Sequence, residues 1–235
     1  NPLARKVLRF FWVTLPVKRS AIITTISAAT KHELLKYVRI DPDRIKVVYV
    51  PISDAFVASP KQFDKNEPTI LQIGTKPNKN VHRLVNALTG IRCRLEIVGD
   101  VDKDLEKELK QASINYRASK NLSNEEVLEK YKAADILSFV STYEGFGMPI
   151  VEANAIGRAV VTSNVLSMPE VAGNAAHLVD PYSVASVREG ILKLIEDDVY
   201  REKLIANGYN NRKRFDATEI ANQYTEIYKQ LGKKE

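Results

Sequence analysis

From Thr69 to Pro181 the sequence alternates short, wholly apolar runs with helical stretches, and that alternation leaves few folds open. The runs are TILQIG (69–74), RLEIVG (94–99), ILSFV (136–140), AVVTS (159–163) and AHLVD (176–180). Helical segments fall near 80–89, 102–112, 123–133, 148–156 and 167–172, and helices dominate from Ser183 onward. A strand with one wet face alternates apolar and polar residues. These runs do not, so both of their faces are expected to be covered. Strands of this kind separated by helices specify an α/β domain with a doubly wound parallel sheet. There is no internal repeat and no low-complexity tract.

The part before this pattern is thinner. Residues 1–20 read as a basic and aromatic helix ending near Pro16, with Arg5, Lys6 and Arg9 beside Phe10, Phe11 and Trp12. A β-branched run at 21–27, a helix at 30–38, a turn at Asp41-Pro42 and a strand at 45–50 follow. Two strands and two helices are too few for an independent core. Residues 1–57 are therefore expected to be the C-terminal part of a truncated domain, the chain being a piece of something longer. Residues 58–67 read as a linker, 68–215 as the complete domain, and 216–235 as a C-terminal helix. Its stripe of Ile220, Tyr224, Ile227, Tyr228 and Leu231 suits packing on either domain.

Charge separates the same two regions. Residues 1–57 carry 10 Lys+Arg against 4 Asp+Glu, while the remainder is balanced. Localised basicity implies a nearby polyanionic surface. Residues 1–20 carry two readings. In one, the aromatics pack into their own domain and the charges are solvated. In the other, charge and aromatics make a peripheral membrane contact that brings a lipid-linked acceptor near. Nucleic acid is not expected as a partner, because no recognition motif accompanies the charge. The single cysteine, Cys93, rules out an internal disulfide, fits a reducing, cytoplasmic setting, and reads as a strand-edge residue rather than a reactive thiol. No apolar run approaches the roughly 20 residues needed to span a bilayer. No His, Cys and carboxylate cluster has metal-ligand spacing, so no metal site is expected.

Ligands in doubly wound sheets bind beyond the carboxyl ends of the strands. Three loops there have a distinctive composition. The first runs Gly74-Thr75-Lys76-Pro77-Asn78-Lys79-Asn80. Glycine permits a sharp turn, a helix start offers unpaired N–H groups, and two lysines suit phosphate. It is neither G-x-x-x-x-G-K-[ST] nor G-x-G-x-x-G; taken alone it also reads as a solvated turn. The second is Glu144-Gly145-Phe146-Gly147-Met148-Pro149, with Glu152 about one turn into the helix that follows. The glycines allow close backbone approach. One carboxylate can accept bonds from sugar hydroxyls, and the other can grip a ribose diol. The alternative is an exposed Glu144 and a Glu152 that complements the helix dipole. The third, ending in Gly99, is weak by itself. Arg117 follows a possible short strand at 114–117 and reads equally as the border of a base pocket or as a solvated arginine.

Glu144-Gly-Phe-Gly-Met-Pro-Ile-Val-Glu152 resembles the E-x7-E motif of family-four retaining glycosyltransferases. The resemblance continues through Gly157–Ser163, Met168-Pro169-Glu170-Val171, Ala175–Pro181, Ile73-Gly74 with Lys79-Asn80, and Asp135. Residues 20–57, with Thr24-Thr25-Ile26-Ser27 and Val48-Tyr49-Val50-Pro51, resemble the end of the same family's acceptor domain. The resemblance implies a GT-B protein whose Rossmann-like C-terminal domain holds a UDP-, GDP- or ADP-sugar as co-substrate, with no cofactor and no metal. Transfer to a glycan or lipid-linked acceptor with retention of anomeric configuration is then expected. By carry-over, Glu144 and Lys79 are the catalytic residues, with Glu144 on the sugar and Lys79 on the diphosphate. Glu152 holds the ribose. Gly74, Thr75, Lys76, Gly99, Arg117 and the backbone of Gly145, Phe146, Gly147 and Met148 complete the donor site. Many members carry arginine where this chain has Thr75; Lys76 could substitute only as a point charge. None of His32, His82 or His177 sits at a family motif, and His82 and His177 read as structural. The chain is therefore expected to be the donor-binding half, inactive alone. The competing readings are a non-catalytic sugar-nucleotide module and a GT-B-fold epimerase.

Overall fold

The computed structural model describes residues 2–232. It opens with α1 (Pro2–Arg9), a π-helical turn at Phe10–Thr14 and α2 (Leu15–Arg19). The helix does not stop at Pro16, because Pro16 lies in the first turn of α2, where no backbone N–H is required. A two-stranded parallel sheet follows, made of β1 (Ile23–Thr25) and β2 (Ile45–Val47), joined by α3 (Ala28–Tyr37). Ser27 starts α3 two residues earlier than the sequence suggested. Its hydroxyl accepts the Thr30 N–H and so satisfies a donor the helix leaves open.

The main sheet comprises β3 (Thr69–Ile73), β4 (Arg94–Val98), β5 (Asn115–Ser119), β6 (Ile136–Phe139), β7 (Ala159–Ser163) and β8 (His177–Val179). All its pairings are parallel and the order is β5-β4-β3-β6-β7-β8. The interleaved helices are α4 (Val81–Leu88), α5 (Lys103–Gln111), α6 (Asn124–Ala133), α7 (Met148–Ile156) and α8 (Met168–Ala172). After β8 come α9 (Val184–Glu196), α10 (Asp198–Asn211) and α11 (Ala217–Gly232).

Neighbouring residues within each strand go to opposite cores. Ile70, Ile136 and Val161 pack with Leu84 and Leu88 of α4 and Ile191 of α9. Leu71, Leu137 and Val160 pack with Tyr131 of α6 and Ile150 and Val151 of α7. Burial on both faces explains why the runs are apolar throughout. The exception is β5, which sequence reading gave only as a possible strand at 114–117. Its residues are exposed or half-buried, so an edge strand carried too little apolar signal.

Residues 58–67 have no regular structure, yet they are fastened along the domain. The Ser59 N–H donates to Ile156 O at 3.1 Å, and Arg158 donates to Ser59 O at 2.7 Å. Asp135, just before β6, accepts from Lys61 Nζ at 2.5 Å, from the Asp64 N–H at 3.3 Å and from the Thr69 N–H at 2.8 Å. One buried carboxylate thus ties this segment to the starts of β3 and β6. α11 runs beside β2, sharing a groove with Lys46, Val47 and Val48. It therefore returns to the first part of the chain, with Ile220 buried and Tyr228 exposed.

The aromatics of residues 10–12 stay largely open to solvent, with Phe10 and Phe11 meeting edge to face at 5.3 Å. Phe10, Phe11 and Trp12 are 48%, 59% and 79% exposed, against the expectation that they pack inward. Cys93 is buried, and burial pushes its thiol up to about 11, which makes it inert as expected.

Removing the Asp135 carboxylate would take the acceptor from two backbone N–H groups and leave the Lys61 ammonium with Ala133 O alone. We expect Asp135→Ala to lower unfolding stability by about 2–4 kcal/mol. Urea denaturation checks this, and a change below about 1 kcal/mol would show that the three bonds are replaced by water.

Candidate functional site

The strand order reverses its direction of travel between β3 and β6, which opens a crevice beyond their carboxyl ends. Two loops meet there, 74–80 after β3 and 140–147 after β6. The first is shaped by Gly74, at φ +84°, where a Cβ would lie 3.1 Å from Lys79 Cε. Glycine is needed both for the left-handed backbone and for the lysine stem lying against it. Pro77–Lys79 form one 3-10 turn. Asn80 then takes a left-handed conformation, φ 61°, before α4 begins. Buried, Asn80 donates from Nδ2 to Val140 O at 2.9 Å and to Pro181 O at 2.7 Å. One amide therefore fixes the first loop to the end of β6 and to the loop after β8.

Lys79 Nζ donates to Glu144 Oε1 at 2.7 Å, and Asn78 Nδ2 reaches the same oxygen at 3.2 Å. The Lys79 ammonium also stands 4.7 Å from the centre of the Phe139 ring. Side-chain exposures of 18% and 16% make the Lys79–Glu144 pair a partly desolvated one that still opens to solvent. Asn78 also donates to Tyr143 O at 3.0 Å, and Asn78 O accepts the Thr142 N–H at 2.8 Å. The two loops are therefore cross-braced from both sides.

In the second loop three successive carbonyls are engaged by side-chain hydroxyls. Ser167, fully buried, places its hydroxyl 3.0 Å from Glu144 O and 2.8 Å from Phe146 O. Gly145 O accepts from Ser27 Oγ at 2.8 Å and Thr30 Oγ1 at 3.0 Å. Because a trans peptide points its C=O and N–H in opposite directions, the N–H groups of Gly145, Phe146 and Gly147 face the other way. Among the described residues none of these N–H groups has an acceptor. Gly147, φ +115°, then caps α7, adding a helix start. The Phe146 side chain points into the core, 5.9 Å from the Tyr49 ring and 5.6 Å from the Phe215 ring. It anchors the loop and leaves only its backbone to a ligand.

Glu152 lies on α7, where Oε2 accepts from the Tyr131 hydroxyl at 2.6 Å. Burial pushes its carboxyl above the ordinary value of 4.5, partly offset by the Tyr131 bond. It borders a cavity of about 250 Å³ between α6 and the 53–56 segment, with Phe56, Asn124 and Leu128 on its walls.

The family model for glycosyl transferases group 1 matches residues 55–211. This chain belongs to that family. It is 31% identical over 235 residues to O-antigen chain mannosyltransferase B of Escherichia coli, covering 89% of this chain and 61% of the relative. It is 26% identical over 244 residues to the MMP alpha-(1->4)-mannosyltransferase of Mycolicibacterium hassiacum, covering 97% and 59%. Anabaena Alr3699/HepE, solved in complex with UDP and glucose, superposes with a TM-score of 0.79 at 20% identity, covering 90% of this chain and 64% of that one. The group 1 chain thus spans about three fifths of each of these proteins, and its six-stranded parallel sheet is that of a GT-B fold.

In this group 1 chain the predicted residues fall into three places. Glu144, Lys79 and Gly74 meet directly. Thr75 and Gly99 adjoin them, for a Cβ on Gly99 would lie 2.9 Å from Thr75 Cγ2. Lys76 is exposed beside them. Glu152 stands apart, at the α6 cavity. Arg117 is brought to neither group: it is exposed in the middle of β5, in register with Glu96. Sequence reasoning missed Asn78, Asn80, Ser27, Thr30, Ser167 and Glu170 as parts of the site. Only Asn80, left-handed between two predicted elements, had a local signal. His82 pairs with Glu108 at 2.8 Å on the surface, and His177 with the Tyr200 hydroxyl at 2.9 Å, both away from the crevice.

The burial of Glu152 makes stability depend on pH. A carboxyl whose folded pKa is raised keeps a proton that the unfolded chain has lost, so stability falls as pH rises above 4.5. Glu152→Gln keeps an acceptor for Tyr131 and removes the buried charge. We expect it to melt above the wild type at pH 7, with the margin closing as pH falls to 4.5. An equal margin at both pH values, followed by calorimetry, would contradict the burial argument.

Proposed function

We propose that this chain is the donor-binding half of a retaining glycosyltransferase, metal-independent and without a separate cofactor, which moves a hexose from a nucleoside diphosphate to a glycan acceptor. The observation that carries the reading is the Lys79–Glu144 pair facing a row of unengaged N–H groups at a helix start. The ammonium and the N–H groups supply positive charge for a diphosphate, the role a metal ion plays in other transferases. Glu144 accepts from hydroxyls of the sugar, and its charge counts most as the anomeric carbon becomes cationic. Glu152 accepts from the ribose diol, whose hydroxyls replace the solvent lost by its burial. The names of the two mannosyltransferase relatives favour mannose as the sugar. Transfer needs an acceptor held against this donor, so the 235-residue chain is proposed to be inactive alone.

Calorimetry with UDP, GDP and ADP in excess chelator tests the reading. At least one diphosphate should bind, and Lys79→Ala should weaken it roughly ten- to a hundredfold while sparing the nucleoside, the loss of one charge-assisted contact. Glu152→Ala should weaken the bare nucleotide, whereas Glu144→Ala should not. A reversal of the two glutamates, or binding that vanishes with chelator, would overturn the assignment.

We also propose that residues 2–19 rest on an anionic membrane surface, near a lipid-linked acceptor. Exposed Phe10, Phe11 and Trp12 beside Arg5, Lys6 and Arg9 support this. No helix among the described residues is long and apolar enough to cross a membrane. Vesicles of phosphatidylglycerol should shift the fluorescence of the single tryptophan, Trp12, to the blue. An unchanged spectrum would show that the surface is not bound.

A further inference from the structure

The loop that faces the donor is held partly from the other end of the chain. α3 belongs to the first, two-stranded region, more than a hundred residues before Gly145. Its opening turn nevertheless carries both hydroxyls that bond Gly145 O, Ser27 at 2.8 Å and Thr30 at 3.0 Å, with the two oxygens 2.9 Å apart. Ser27 is already committed to capping α3 through the Thr30 N–H. The same hydroxyl therefore fixes the helix and the carbonyl together. The turn is clamped in its place by Glu170 of α8. Its carboxylate accepts the Ala28 N–H at 2.9 and 3.0 Å, one oxygen each, and the Ala29 N–H at 3.3 Å. Glu170 lies three residues after Ser167, which holds the carbonyls on either side of Gly145.

We propose that Ser27 and Thr30 are positioning residues for the sugar–diphosphate end of the donor. By fixing Gly145 O they fix the plane of the Gly145–Phe146 peptide, and so aim the Phe146 N–H away from α3 into the crevice. Without them this peptide is free to rotate, and the donor loses one preorganised hydrogen bond. Glu170 acts one step further back, through the register of α3 against α8. This inference rests on the donor site proposed above.

Thr30→Val tests it, since valine keeps the shape and leaves the Ser27 cap in place. The probes are GDP-mannose and UDP-glucose, with guanosine and uridine as the matched nucleosides. We expect Thr30→Val to weaken the sugar nucleotide about three- to tenfold, the worth of one hydrogen bond, and to leave the nucleoside unchanged. Thr30→Ser should restore wild-type affinity, and Glu170→Ala should reproduce the loss in part. Equal weakening of nucleotide and nucleoside, no weakening at all, or no rescue by serine overturns the proposal. Should the wild-type chain bind neither sugar nucleotide, the donor-site reading itself fails and this inference goes with it. If Thr30→Val does not fold, Thr30→Ala and Glu170→Ala with the same probes decide between the outcomes.

Discussion

A parallel strand covered on both faces has no room for a functional side chain along its length. Ile70 and Leu71, or Val160 and Val161, are fully buried toward opposite cores. Polar chemistry is thereby pushed beyond the carboxyl ends, and the strand order then decides which ends open together. Only at β3 and β6 do adjacent strands send their chains away in opposite directions, which parts the two loops. Everything the site contains follows from keeping those two loops close without filling the gap. Asn80, Asn78 and the Lys79–Glu144 pair do so, chiefly through side chains, with one backbone bond from Thr142 to Asn78 beside them.

The charges in the crevice are balanced before any ligand enters. Lys79 is neutralised by Glu144 and shielded by the Phe139 ring. A partly buried ammonium without those partners would carry a desolvation penalty. On the donor site proposed above, an arriving diphosphate would exchange one anionic partner of Lys79 for another and leave Glu144 to the sugar. Glu152 is treated differently. Among the described residues its carboxylate meets the Tyr131 hydroxyl and no cation, and burial raises its carboxyl. The two glutamates eight residues apart thus sit in opposite electrostatic settings on one short segment of chain.

What the sequence disclosed follows a physical division. Residues that act through their own charge or their own backbone freedom were legible, because residue type is the signal. Lys79, Glu144, Glu152, Gly74 and Gly147 belong there. Residues that act by holding another part of the backbone were not. A serine that bonds a carbonyl 118 residues away looks like any other serine until the chain is folded. Ser27 showed itself only as the end of a β-branched run and, like Glu170, as a piece of a resemblance, and Ser167 only as the first residue of a helical segment. For Phe146 the expectation concerned its backbone alone, and the packing of its ring on Tyr49 and Phe215 was the part that residue type did not disclose. For the fold, the buried strands were plain and the exposed edge strand β5 was faint, for the same reason that it is exposed.

The bonds from α3 to the glycine loop also bear on how such proteins recombine. The family match begins at residue 55, yet the carbonyl at Gly145 is secured by hydroxyls at 27 and 30. A hybrid joined at that boundary would keep the glycine loop but exchange the turn that braces it. Fusion points placed upstream of Ile23 would carry β1, α3 and their bonds along as one inherited block. The unit that can be exchanged between lineages is accordingly longer than the unit that sequence similarity outlines.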